Sequence, residues 1–182
     1  MAGDSFDFSR LGAPTWALDE LADYIVDRHH RYVQGAIPAV RGALSLAVDR
    51  WGRAHPPVAA VQALFDELAD ELESHMAKEE HILFPAIRDL ANARRQQGRM
   101  QVPFGTLLHP IRAMENEHAH ATRLLEDIRR ETNDYQPPPA ADEAGRDVYR
   151  QLARFEADLI EHIHLENDIL FPRSLDLEQH VA

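Results

Sequence analysis

The sequence repeats itself, and the repeat restricts the fold to one built from two similar halves. The stretch ELESHMAKEEHILFP (71–85) matches DLIEHIHLENDILFP (158–172) at an offset of 87 residues. Both copies carry a histidine, a glutamate four residues later and a closing Ile-Leu-Phe-Pro. His30 and His118, which lie 88 residues apart, repeat more weakly upstream of the two copies. Each half is therefore expected to pair a histidine-bearing helix with a His-x-x-x-Glu helix.

Helical periodicity runs through the chain without the alternation that is typical of strands. We expect the first helix to be bent or broken near Gly35 and Pro38, and the last to end soon after Pro172. Short connections between long helices favour an all-α, antiparallel four-helix bundle. The helices are expected at about residues 16–51, 58–95, 107–132 and 143–175.

Composition narrows the class of protein. The 182 residues, 45% of them hydrophobic, suit one domain at 15–182 behind a polar lead at 1–14. A net charge of −12 disfavours a nucleic acid or a membrane surface as a partner. The lack of cysteine excludes disulfides and thiolate-bound metals in this chain. With neither a signal-peptide pattern nor a membrane span, we expect a cytoplasmic protein.

Helix geometry places two His-x-x-x-Glu pairs on inner faces. At about 100° per residue, His75 and Glu79 share an apolar stripe of the second helix, and His162 and Glu166 share one of the fourth. His118 lies on the inner face of the third helix. The pairs in the second and fourth helices would be costly to bury unless a salt bridge or a metal ion satisfied them.

Other polar residues are harder to place. In the first helix, periodicity slightly favours His29 as the inward residue, whereas the repeat offset favours His30. Glu80 and Asn167 fall on the outer sides of their helices. Glu71 and Asp158, one turn before the ligand histidines, could be outer neighbours of the site or carboxylates near the wet end of the core.

The inward set consists of four histidines and two glutamates. A lone core histidine is usually only hydrogen-bonded, but two matching pairs favour a binuclear metal site over a purely structural bundle. Imidazole and carboxylate suit iron best, with manganese or zinc as alternatives. Two ions could each take two histidines and share both glutamates as bridges. That arrangement leaves room for an oxo or hydroxo bridge and a small ligand.

Four stretches, one in each predicted helix, carry a family resemblance: LDELADYIVDRHHRYVQGAIP (18–38), LESHMAKEEHILFPAI (72–87), MENEHAHA (114–121) and LIEHIHLENDILFPR (159–173). The chain resembles the hemerythrin-like (HHE cation-binding) domain, and most closely its RIC group, the di-iron proteins for repair of iron centres. The resemblance covers about residues 15–175. RIC proteins commonly carry a small N-terminal cysteine domain, which we expect this chain to lack.

The resemblance implies a hemerythrin-like bundle holding two non-haem iron ions. It selects His30 in the first helix and leaves His29, with Glu71 and Asp158, as possible outer neighbours. The implied metal ligands are His30, His75, Glu79, His118, His162 and Glu166.

The function implied is a response to nitrosative or oxidative stress. The protein would donate iron to damaged iron–sulfur proteins, or react with nitric oxide or peroxide at the di-iron site. The alternative is a module that binds O₂ or NO reversibly, as a carrier or sensor without turnover. Whether the protein is an enzyme, and its oligomeric state, stay open.

Overall fold

A computed structural model describes residues 15–139 and 141–181, which form an antiparallel bundle of four long helices. The predicted all-α bundle is confirmed. Helix α1 covers residues 18–51 and α2 covers 57–95; α3 is Leu108–Glu131, and α4 covers 143–181. Residues 1–14 lie outside the described part, so the boundary between a lead segment and the bundle stays a prediction. In the described ranges, no helix combines the length and apolar character needed to cross a membrane.

Helices α1, α2 and α4 each contain one π-helical turn. These turns are Val26–His30 in α1, Glu79–Leu83 in α2 and Leu165–Leu170 in α4. Each closes with a backbone hydrogen bond that runs five residues back: Arg31 to Val26, Phe84 to Glu79 and Phe171 to Glu166. A π turn is a single wide turn inside an α-helix, frequently at a functional site.

Proline explains the position of two of these turns. Pro85 and Pro172 each follow a π turn closely. Because proline has no N–H, neither can donate to the carbonyl four residues back, and its ring crowds that carbonyl. A widened turn just before the proline relieves the crowding, and the helix then continues.

The structure corrects the expected break in the first helix and the expected end of the fourth. The first helix is not broken at Gly35 or Pro38, since Arg31–Trp51 is continuous with Pro38 inside it. The fourth helix does not end after Pro172 but continues to Val181. Pro172 is tolerated because it sits in the first turn of Phe171–Val181. Near Pro38, burial of Ile37 and Val40 in the core offsets the lost hydrogen bond.

The core has two apolar clusters with a polar layer between them. One cluster surrounds Phe65 and Phe155, and the other surrounds Leu21, Phe84 and Phe171. Burying each such side chain contributes about 1.5–3 kcal/mol. The polar layer lies where α1, α2 and α4 make their π turns, and it holds the histidines and glutamates of the repeat.

Candidate metal centre

The structure brings the six predicted ligand residues together in the polar layer. All four helices contribute, and every one of the six residues is at most 2% exposed. They are His30 from α1, His75 and Glu79 from α2, His118 from α3, and His162 and Glu166 from α4. Burial of this many titratable groups is costly unless they satisfy one another or a bound ion.

Within the layer, the six residues form two overlapping groups. One contains His30 and His162, the other His75 and His118, and both contain Glu79 and Glu166. In each group the potential ligand atoms lie within 4.8 Å of one another. Each group therefore offers two imidazoles and two carboxylates to one ion.

The two glutamates lie between the groups. Glu79 Oε2 is 3.4 Å from His30 Nε2 and 3.2 Å from His75 Nε2. Each oxygen of Glu166 lies near a histidine of a different group: Oε1 is 3.0 Å from His162 Nε2, and Oε2 is 3.1 Å from His118 Nε2. Both carboxylates are thus placed to serve two ions at once.

Partners outside the layer orient three of the four histidines. At 2.8 Å in each case, Nδ1 of the ring lies beside an oxygen acceptor: Glu80 Oε1 for His30, Glu117 Oε2 for His75 and Asn167 Oδ1 for His118. Since these oxygens accept, Nδ1 carries the hydrogen and donates it. The lone pair of a neutral ring is then on Nε2, which faces the interior.

The inward nitrogens lie too close together to be left unpaired. His75 Nε2 and His118 Nε2 are 2.9 Å apart, and His30 Nε2 and His162 Nε2 are 3.2 Å apart. Two lone pairs at this separation repel unless a proton or a cation lies between them. The carboxylates lead to the same conclusion, because both oxygens of Glu79 are buried without a hydrogen bond. Cations between the groups would satisfy these atoms, so the residues fit a binuclear metal site.

The titration behaviour of the metal-free site shows how strongly it favours positive charge. Burial opposes protonation of His30 and His75. The nearby carboxylates of Glu79 and Glu166 outweigh it and raise the pKa of His30 to about 10 and of His75 to about 9. Against burial, the same histidines lower the pKa of Glu79. Protons thus hold the layer together without metal, and metal binding must displace them.

Aromatic rings close the layer at one side. Phe84 stacks on His30 with ring centroids 5.7 Å apart, and Phe171 stacks on His118 at 6.0 Å. These are the phenylalanines of the repeated Ile-Leu-Phe-Pro. Their burial keeps water from that face of the imidazoles, which strengthens electrostatic attraction inside the site.

The three expected outer neighbours have different surroundings. His29 is fully buried, its ring stacks on His162 at 5.6 Å, and its Nδ1 lies 3.2 Å from Asp158 Oδ1. Asp158 is also buried. Glu71 instead lies at the surface beside His120, with 3.2 Å between Glu71 Oε1 and His120 Nε2.

Sequence reasoning missed the three outer partners. Periodicity places Glu80 and Asn167 on outer helix faces, and it gives no reason to single out Glu117. A residue about 140° from the inward direction faces the seam with a neighbouring helix in a four-helix bundle, so it can reach a histidine there. One feature of the sequence does point to two of these partners. Glu80 and Asn167, both able to accept a hydrogen bond, occupy equivalent positions of the repeat, 87 residues apart.

A four-helix bundle with buried, bridging His/Glu groups for two ions defines a hemerythrin-like cation-binding protein. Residues 21–174 match the sequence model of the Hemerythrin HHE cation binding domain. The chain belongs to this family.

Its relatives include three bacterial proteins named iron-sulfur cluster repair protein YtfE. Identity is 39% over 160 residues with the protein from Edwardsiella ictaluri, 38% over 162 residues with that from Escherichia coli O81, and 37% over 162 residues with that from Escherichia fergusonii. Each alignment covers 87% of this chain and 66% of the relative. The chain thus spans just under two thirds of the length of these relatives.

Proposed function

We propose that this is a cytoplasmic non-haem di-iron protein that acts against nitrosative or oxidative stress. It would repair iron centres by donating iron, or react with nitric oxide or peroxide at the di-iron site. The observation that carries the proposal is the buried layer of six N/O ligands with unpaired carboxylate oxygens. The YtfE relatives, named for iron–sulfur cluster repair, support a role in repair.

The proposed iron ligands are His30, His75, Glu79, His118, His162 and Glu166. Imidazole nitrogen with carboxylate oxygen suits iron, manganese or zinc, and the groups contain no thiolate that would favour softer ions. Two bridging carboxylates offset much of the charge of two cations in a low-dielectric core. Iron, once bound, would supply redox chemistry and exchangeable positions for small ligands.

The number of protein ligands supports reactivity. Each ion would receive two histidines and a share of both glutamates. Four donors are fewer than the six that iron commonly takes, so positions stay open for a diatomic ligand or peroxide. An iron site with a purely structural role would not require open coordination positions.

The first experiment is metal analysis of the purified protein and of a ligand variant. We expect two iron ions per chain in the unaltered protein. The His162→Ala variant, which removes a ligand from the group with His30, should lose iron. His109→Ala is the matched control, because His109 is exposed on α3 and away from the layer. Retention of two iron ions by His162→Ala would refute the site.

A second experiment separates donation from reversible binding. The reduced, iron-loaded protein is mixed anaerobically with an iron–sulfur protein that lacks its cluster iron, and separately with O₂ or NO. Donation predicts that iron moves to the acceptor. A stable adduct with O₂ or NO that reverses on removing the gas, without iron transfer, would favour the carrier or sensor alternative.

A further inference from the structure

The layer has two sides: the side of His75 and His118, formed by α2 and α3, and the side of His30 and His162, formed by α4 and α1. The repeat relates these sides to each other, and they are alike in the proposed ligands but differ around them. The repeat relates Glu71 to Asp158 and Lys78 to Leu165 at an offset of 87, and relates His29 to Glu117 and Tyr32 to His120 at an offset of 88. These four pairs occupy corresponding positions outside the proposed ligands. On the side of His75 and His118 the side chains at these positions reach solvent, whereas on the side of His30 and His162 most of them are buried.

The side of the layer that contains His75 and His118 has a path to solvent. A cavity of about 290 Å³ is lined by both of these residues and by Glu71, Lys78, Glu117 and His120. The side chains of these last four are 36–45% exposed. The cavity therefore joins the outer side of one histidine pair to the protein surface.

On the side of the layer that contains His30 and His162, the corresponding space is filled. His29 replaces the glutamate, is fully buried and stacks on His162. Leu165 replaces the lysine and is also fully buried. Asp158, 8% exposed, lies against His29.

The mouth of the cavity attracts cations. Carboxylate oxygens of Glu67 and Glu71 and a ring nitrogen of His120 lie within 4.8 Å of one another. Lys78 is already paired with Glu117, whose other oxygen lies 2.8 Å from His75 Nδ1. A metal ion in transit would thus meet carboxylates and an imidazole before it reaches the layer.

We propose that the two metal positions exchange at different rates. The ion between His75 and His118 enters and leaves through the cavity, whereas the ion between His30 and His162 is retained. This inference rests on the proposed metal site and deepens the proposed function, because it means that one ion per chain is available for delivery. The retained ion keeps both bridging glutamates in place for reloading.

The test is the release of iron(II) from the anaerobically loaded protein into an excess of ferrozine, followed by absorbance in a stopped-flow instrument. We expect two phases of equal amplitude with rates that differ by roughly tenfold or more, which is a barrier difference of about 1.4 kcal/mol or more. A single phase that releases both ions together would overturn the inference.

A variant that narrows the cavity assigns the fast phase. Ser74 is exposed and lines the cavity, so Ser74→Trp should slow the fast phase roughly tenfold and leave the slow phase unchanged. Ser45→Trp, at an exposed helical position of α1, is the control. Asn116→Trp narrows the same cavity from α3 if Ser74→Trp folds poorly. Equal slowing of both phases, or no slowing in either cavity variant, would refute the path.

The outcome is separable from that of the iron proposal. If metal analysis shows two ions that are not iron, the iron proposal fails. The same release experiment with cobalt(II), followed by its visible absorption, still tests the unequal exchange. Two cobalt(II) phases that respond to Ser74→Trp would then support the exchange path without iron.

Discussion

Replacing Glu79 with glutamine tests the metal site at the residue that both groups share. The substitution keeps the size of the side chain and removes its charge. Glu79 is fully buried, and one of its oxygens lies within 3.4 Å of a histidine from each group. We therefore expect Glu79→Gln to weaken both metal positions rather than one.

The size of the effect follows from linkage between binding and folding. An ion present at 100 times its dissociation constant stabilises the folded protein by about 2.7 kcal/mol, so two ions contribute about 5.4 kcal/mol. A chain of this length gains about 2–4 °C in melting temperature per kcal/mol, or about 11–22 °C in all. A hundredfold loss of affinity would leave about 0.4 kcal/mol per ion at the same metal concentration.

The assay is thermal unfolding followed by circular dichroism, with and without metal, at a fixed free metal concentration. The quantity compared is the metal-dependent shift in melting temperature, which cancels any effect of the substitution on the metal-free protein. Glu126→Gln makes the same chemical change at an exposed position of α3 and serves as the control. The shift should collapse in Glu79→Gln and persist in Glu126→Gln.

Two results would refute the reasoning. One is a full metal-dependent shift in Glu79→Gln, which would mean that the shared carboxylate holds no ion. The other is an equal loss in Glu126→Gln, which would mean that the shift reports general screening of a chain with a net charge of −12.

Three further predictions concern the surroundings of the site and the core. Glu80→Gln removes the carboxylate that orients His30 and should lower metal affinity about 10- to 100-fold in a competition assay, whereas a decrease below about twofold would contradict the role. Without metal, His30 with its raised pKa stabilises the fold fully below pH 6.5 and loses this effect as pH rises through about 10. Glu166, whose pKa is lowered well below 4.5, stabilises it above pH 4.5 and loses this effect in acid. Melting of chelator-treated protein should therefore show the largest joint contribution of His30 and Glu166 between pH 4.5 and 6.5, and a contribution of these two groups that grows above pH 7 would disprove it. Phe65→Ala should lower the free energy of unfolding in urea by about 3–5 kcal/mol. Phe65 lies in the apolar cluster beyond the layer, so the folded variant should keep its metal content.

The bundle and the inner layer could be predicted because both leave periodic traces in the sequence. His75 and Glu79 share an apolar stripe, and the second copy of the stripe made chance an unlikely explanation. The first helix shows the limit of this reasoning. Periodicity alone slightly favoured His29, but the π turn Val26–His30 rotates each residue less than an α-helical turn does, and both His29 and His30 are buried.

The π turn of α1 could not be located from sequence. The irregularity of α1 falls at Val26–His30, whereas the residues that suggested a bend were Gly35 and Pro38. A π turn depends on what the surrounding helices require of the backbone, and Val26–His30 has no proline directly after it. Outer partners such as Glu80 could not be predicted for a related reason. Whether such a residue reaches a histidine depends on which helix lies next to it.

The two copies of the repeat are alike at the proposed ligand positions and differ at the positions of their outer partners, because these positions have different roles. The proposed ligands repeat in kind because two ions in one site would require the same donors, and Glu79 and Glu166 belong to both groups. The residues behind them have no such requirement. Glu80, a carboxylate, corresponds to Asn167, a neutral amide, although each accepts from Nδ1 of a ligand histidine. A carboxylate makes the imidazole it holds a stronger donor than an amide does. His30, held by Glu80, should therefore be a stronger donor than His118, held by Asn167. The other two histidines show the opposite order, because His75 is held by the Glu117 carboxylate while His162 Nδ1 is buried without a hydrogen-bond partner among the described residues. The outer partners therefore do not rank the two positions, and the cavity beside His75 and His118 is the feature that distinguishes them.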